Sequence, residues 1–292
     1  MKMDFTELYC NIDDFIKNNE QNLLSITNCK TKPGPKNSLS VSEILTIIIG
    51  YHNSSMDCFK NYYNKIIVPL HYHDFKLVSY EHFTKLIGSA LAYLTLFLNN
   101  LLEKCTGTSF VDSTSIAVCK NYRIYSHKVF DGFAKRSKTT KGWFFGLKLH
   151  LIINLDGSLV KASFSYGNKD DRKALRGMTK GVFGKVFGDR GYISKELFND
   201  LMQENIELIT RLKKGMKNIL MPIMDKILLL KRTLIETVIG RIKLLDKFEH
   251  SRHRSPVNAF SHMMACLINY QLLDNKPSIA SLIKLEDLAM YN

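Results

Sequence analysis

The sequence predicts an α/β protein, a mixed sheet flanked by helices and preceded by an all-α N-terminal domain. Three observations carry this. Up to residue 105 apolar residues recur at helical spacing, as in Phe5, Leu8, Ile12, Phe15 and Ile16. From residue 106 the period falls to two, with Leu147, Leu149, Leu151 and Ile153 on one face of a strand, a turn at Asp156-Gly157 and a returning strand at 159–166. Over 183–212 short apolar strands then alternate with a helix. The domains are therefore read as 1–105, 106–275 and a short C-terminal helix in 276–292.

In order along the chain, the first helix ends in a Pro/Gly/Lys break at 30–36 that reads as a linker. Ser40 or Ser42 is placed to cap the next helix, which carries Ile44, Leu45, Ile47, Ile48 and Ile49. A polar gap at 53–57 precedes another helix at 58–67. Short helices with brief connections suit a helix-turn-helix that binds DNA, and equally a packing or dimerisation role. The apolar stretch 86–102 contains Asn99 and Asn100 and falls short of a membrane span, so it reads as a buried helix. Acids at 4, 7, 13 and 14 are inconsistent with a secretory signal at the start of the chain.

Two strands are read as ending on a carboxylate. Residues 110–114 give the first, with Asp112. Residues 183–188 give the second, which reaches Asp189 and breaks at Gly191 before Ser194 opens a helix to 204 and a strand follows at 206–212. An acid at the carboxyl end of a strand lies where open α/β sheets place ligands; an Asp before Gly is also ordinary turn chemistry. On a late helix Arg232, Glu236, Gly240, Lys243 and Lys247 share one stripe, while Leu234, Ile235, Val238, Ile239, Ile242 and Leu245 fall mostly opposite. Glu236 thus faces away from the helix's own core contacts, although an Arg-Glu pair at i, i+4 is common on solvated faces.

With 292 residues and 45% hydrophobic content the chain is long enough for one large or two modest globular domains. Its net charge of +14 suits a polyanionic partner. The densest basic segment holds Lys120, Arg123, Lys128, Lys135, Arg136, Lys138, Lys141 and Lys148 against Asp131 alone. Tyr122, Tyr125, Phe130, Phe133 and Trp143 interleave it, offering both phosphate neutralisation and stacking. The other reading of this segment is a solvated loop with aromatics packed inward. Basic runs at 211–217 and 250–254 would extend the track. Six cysteines form no CxxC or Cys/His metal spacing and read as reduced thiols of a cytosolic protein.

Taken together, Asp112, Asp189 and Glu236 resemble the triad of DDE transposases of bacterial insertion sequences, of the insertion-sequence family 982 type. The resemblance extends to Arg232, Glu236 and Lys243 at the spacing of that group's last motif, to the segment 142–150, to Asn168 with Asp170 and Asp171, and to Pro35-Lys36 with Leu39, Ser40 and Glu43. It departs at the usual Tyr of the last motif, which is Leu229 here. The resemblance and the strand order imply an RNase H-like, retroviral-integrase-like catalytic core with Asp112, Asp189 and Glu236 as catalytic residues and ligands of two Mg²⁺ ions, or Mn²⁺. Lys128, Lys135, Arg136, Lys138, Lys141, Trp143, Lys148, Arg190, Arg232 and Lys243 are the expected DNA contacts. Expected partners are double-stranded DNA, as transposon terminal inverted repeats and target DNA, and a second copy of the chain on that DNA; no membrane is expected, and the location is cytoplasmic, at the nucleoid. The rival readings are a non-catalytic basic DNA-binding protein derived from a transposase, and an RNase H-like nuclease without strand transfer.

Overall fold

The structure is a computed structural model that describes residues 4–21, 37–140, 142–212, 215, 220–245, 248–249 and 253–281; the side chains of 244 and 245 are outside that description. In chain order its helices are α1 (Phe5–Asn18), α2 (Val41–Asn53), α3 (Phe59–Tyr62), α4 (Val68–His71), α5 (Tyr80–Leu86), α6 (Leu91–Leu101), α7 (Asp171–Arg176), α8 (Lys195–Gln203), α9 (Ile223–Lys231), α10 (Thr233–Leu245) and α11 (Pro256–Gln271). The strands are β1 (Thr108–Ala117), β2 (Lys135–Thr139), β3 (Gly142–Asn154), β4 (Leu159–Tyr166), β5 (Gly184–Gly188) and β6 (Ile206–Thr210). Among the described residues no helix is long and apolar enough to cross a membrane. The basic run 211–217, the stretch 250–254, the linker at 30–36, Lys141 and most of the expected C-terminal helix lie wholly or partly outside the described residues.

Two compact units result, one of residues 1–101 and 242–274, the other of residues 102–241 and 275–292. The sequence reading ran the sheet domain on to 275, whereas 242–274 belongs to the first unit. Helix α11 explains this: Ala259, Met263, Cys266, Leu267 and Tyr270 are buried, and its polar side chains are used up within the unit. Asn258 donates to the Thr84 carbonyl, Ser261 to that of Ile87, Asn269 to that of His52 and Gln271 to that of Leu101. Buried side-chain donors need such partners, so these bonds fix how α11 lies on its neighbours. At α2 the structure selects Ser40 as the cap, in a reciprocal box with Glu43. Ser42 is buried instead and donates to Asp13 of α1.

The second unit is built on a six-stranded mixed sheet. β1 runs antiparallel to β3 on one side and parallel to β5 on the other, and β6 continues parallel to β5. β3 also pairs with β2 through its first residues and with β4 through its later ones. Two features differ from the sequence reading. β1 does not stop at Asp112 but runs on to Ala117, because residues 113–117 pair along 146–150 of β3. Lys135–Thr139, read as part of a basic loop, is a strand held by β3. Gly146 is where β3 comes closest to β1: a Cβ there would meet the Ile116 carbonyl oxygen at 1.8 Å, so only glycine permits this approach.

Successive strand residues face opposite sides, which sorts the sheet into two layers. On one, Val111, Ile152, Val186 and Tyr192 join Leu175, Leu197 and Leu201 of α7 and α8 in a core. On the other, Phe110 stacks at a tilt on Phe187, ring centroids 5.8 Å apart. On β5, the partly exposed Lys185 reaches Asp225 of α9, whose carboxylate is buried, at 2.7 Å. Leu234, Ile235, Val238, Ile239 and Ile242 of α10 are buried as their spacing predicts.

Candidate active site

The β1–β5 register places Phe110 opposite Phe187. Asp112 and Asp189 each follow two residues later, and Asp189 is still extended (φ −77°, ψ 167°) before the 3₁₀ turn Arg190–Tyr192. Period-two alternation therefore sets both carboxylates on one face of adjacent parallel strands. Glu236 comes from the first turn of α10, and Arg232 from the joint between α9 and α10.

These three acids are gathered on one cation. The Arg232 guanidinium lies 2.8 Å from Glu236 Oε1, 3.4 Å from Asp112 Oδ2 and 3.9 Å from Asp189 Oδ1. Exposure grades across the cluster: the side chains of Arg232 and Asp112 are 15% and 23% exposed, those of Asp189 and Glu236 58% and 53%. The Ser113 N–H donates to Asp112 Oδ1 at 2.8 Å. Burial pushes the Asp112 carboxyl up to about 6, and the Asp189 and Glu236 charges add to this. The Ser113 N–H and Arg232 act the other way. Among the described residues no three His, Cys, Asp or Glu side chains are arranged around a common point for a metal ion; these acids are arranged around the guanidinium. The donor set nevertheless suits a hard divalent cation. It supplies carboxylate oxygens from three elements, two of them open to water, with a net negative charge that one arginine leaves unbalanced.

The expected DNA contacts fall into groups. Lys128, Lys135, Arg136, Lys138 and Arg190 are exposed. Lys138 sits opposite Trp143 in the β2–β3 register, and Arg136 is two residues from Lys138, so all three share a face. Trp143 has the parity of Leu151, which pairs with Asp112, and hence the parity of the acids. The Arg136 guanidinium carbon stands 4.5 Å from the Trp143 ring centroid and 5.8 Å from that of Tyr125, whose hydroxyl accepts from it at 2.9 Å. The sequence showed Tyr125 only as one of several interleaved aromatics. Lys148 is turned to the opposite layer, where it bonds Asp171 at 2.9 Å and the Lys169 carbonyl at 3.0 Å. Lys243 pairs with Glu249 and lies in the first unit. Lys141 lies outside the described residues. Leu229, at the position usually held by Tyr, is buried.

Behind Asp112, on the far layer, His150 is 1% exposed and bonds Ser165 Oγ at 2.7 Å through Nε2. Burial holds it down to about 4. The Lys148 charge adds to that and Asp171 opposes it. The sequence contained this histidine in the 142–150 segment but offered no sign of its depth.

A family profile described as the transposase DDE domain matches residues 102–256, just over half of the chain. None of the curated proteins matches it. Among solved structures it is similar, with a TM-score of 0.36 and 8% identity, to a piggyBac transposase synaptic complex with hairpin DNA. The alignment covers 68% of this chain and 48% of that one, so the chain spans about half the length of that transposase.

Proposed function

The chain belongs to the transposase DDE-domain family, and on that premise we propose that it cuts the ends of a bacterial insertion sequence, of the family 982 type, and joins them to target DNA. The observation that carries this reading is the convergence of Asp112, Asp189 and Glu236, from a central strand, the end of its parallel neighbour and a late helix, within 4 Å of a single guanidinium. The strand order, with β1 antiparallel to β3 and parallel to β5, supports an RNase H-like core for the sheet unit.

Asp112, Asp189 and Glu236 would hold two Mg²⁺ or Mn²⁺ ions, which when bound activate the attacking oxygen and stabilise the leaving oxygen of an in-line phosphoryl displacement. Asp112 stands on β1 and Asp189 directly follows its parallel partner β5, so the sheet holds their carboxylates at a nearly fixed separation as DNA enters. Glu236 is about half exposed and rides on a helix rather than on the sheet, so it is the acid best able to adjust. In the cutting step water attacks phosphorus and the P–O3′ bond breaks, freeing a 3′-hydroxyl. In the joining step that hydroxyl attacks a target phosphorus, and as the new P–O3′ bond forms the target strand's own P–O3′ bond breaks, leaving a 3′-hydroxyl on the target. Lys128, Arg136, Lys138 and Arg190 neutralise phosphates along the route, and Trp143 offers a ring face. Joining two ends requires two sites, so the working form is a homodimer on DNA at the nucleoid.

Asp189→Asn tests the reading, because it keeps size and hydrogen-bonding reach while removing the charge that holds a divalent ion. Nicking of a labelled terminal-repeat duplex in Mg²⁺ should fall by several orders of magnitude. Metal-free affinity in a gel shift should stay equal or tighten, with an unchanged melting temperature. Retained nicking would exclude Asp189 from the site. Nicked but never joined products from the wild type would favour a nuclease without strand transfer, and neither product would favour a non-catalytic DNA-binding protein.

A further inference from the structure

We propose that Arg232 is an internal counter-cation for the acid cluster, and that its release couples divalent-ion loading to DNA binding. The inference rests on the metal-site reading above and adds a role for a residue which the sequence assigned to phosphate contact. Its basis is geometric. Arg232 reaches Asp112, Asp189 and Glu236 together, and its guanidinium is spent on carboxylate oxygens that a metal ion would need.

A guanidinium presents several donors in a flat fork and keeps its charge at every working pH. Set among three carboxylates, it offsets their mutual repulsion and holds them in proximity. A carboxylate lone pair cannot serve the guanidinium and a metal ion at once, so the two compete. Arg232 stands at the joint of α9 and α10 rather than on a strand, and its side chain can leave the cluster without disturbing the β1–β5 pairing. A side chain only 15% exposed should not be left there without an anion, and a DNA phosphate matches the same fork in bidentate fashion. DNA that draws Arg232 away frees the acids, and ions that displace it make it available to phosphate. Such coupling must be reciprocal, and ordinary values span roughly 5–150-fold. The chain without DNA would thus load ions poorly, limiting cleavage away from a bound end.

The experiment is Mn²⁺ titration of the full chain, followed by the electron paramagnetic resonance of free Mn²⁺, with and without a short duplex. Wild type should bind Mn²⁺ weakly alone and about tenfold or more tightly with duplex. Arg232→Ala should bind Mn²⁺ about tenfold more tightly than wild type without DNA, and should gain little from the duplex. Arg232→Lys, whose single ammonium cannot span three acids, should fall between them and serves if the alanine variant does not fold. Equal or weaker Mn²⁺ binding by both variants would overturn the proposal while leaving the metal site intact. If no sample binds Mn²⁺, or if Asp189→Asn binds it as wild type does, the metal-site reading itself fails.

Discussion

Lys148 shows how strand parity redirects a charge. Its neighbours on β3, Leu147 and Leu149, have the parity of Leu151 and so of Asp112, while Lys148 has that of His150 and projects into the other layer. There its side chain is 18% exposed and its ammonium is bonded to Asp171 and the Lys169 carbonyl. A cation so engaged supports the layer beneath β1 and is turned away from the face that carries Asp112. Lys148→Met should therefore lower stability by about 1–3 kcal/mol, the usual cost of orphaning a partly buried acceptor. The salt dependence of DNA affinity should not change. The His150 titration, followed by proton NMR, should move up from about 4, since Lys148 is among the charges that hold it down. An altered salt slope with unchanged stability would return Lys148 to the DNA-binding set.

At the scale of elements, what was legible is what local chemistry signals. The hairpin of β3 and β4 follows from alternation and the Asp156-Gly157 turn, and α8 opens at Ser194, whose hydroxyl accepts from the Leu197 N–H. β2 was not legible: Lys135-Arg136-Ser137-Lys138-Thr139 contains no apolar residue, and its extended form comes wholly from pairing with β3. Charged residues on a sheet edge discourage pairing with other chains. The site was legible in part. Each acid could be found from its own strand or helix, and the spacing of Arg232 to Glu236 gave their i, i+4 pair. Nothing local, however, joins Arg232 to Asp112, 120 residues away. The β2–β3 ribbon in turn makes a testable surface. Trp143 is the only tryptophan and is 48% exposed, so fluorescence excited selectively at tryptophan, clear of the tyrosines, reports on this ribbon alone. DNA should quench it. Arg136→Ala with Lys138→Ala should flatten the log-affinity against log-salt slope by roughly 2, near 0.9 for each phosphate no longer neutralised. Lys135, which projects from the other face, should add nothing when replaced as well. Unchanged fluorescence on saturating binding would remove the ribbon from the DNA path.

Over the whole molecule, charge and burial together set the response to acid. In the first unit His52 Nε2 lies 3.2 Å from His262 Nδ1, and the His253 ring stacks on His262 with centroids 4.6 Å apart. Lys60, Lys85 and Arg254 line the adjoining cleft with Glu81 as its only carboxylate among the described residues, so a proton taken up here meets mainly positive charge. Burial holds His253 down to about 4, and burial together with the other two histidines holds His262 well below its ordinary range. The sign follows from linkage: these groups are neutral in the folded chain and charge near 6.5 in the unfolded one, so the unfolded state binds more protons as pH falls. Their contribution is complete above 6.5 and is lost progressively toward 4, with His253 alone accounting for up to about 3 kcal/mol at about 1.36 kcal/mol per unit. Asp112, whose carboxyl is raised, works in the opposite direction and belongs to the other unit. Circular-dichroism melts of the full chain from pH 8 to pH 4 should therefore show a falling melting temperature well above the range where ordinary carboxylates titrate. His253→Gln should remove part of that fall while leaving the melt at pH 8 little changed. A wild-type melting temperature that stays flat between pH 7 and pH 5 would mean that water or anions reach the histidines freely, and that their burial does not govern the stability of this unit.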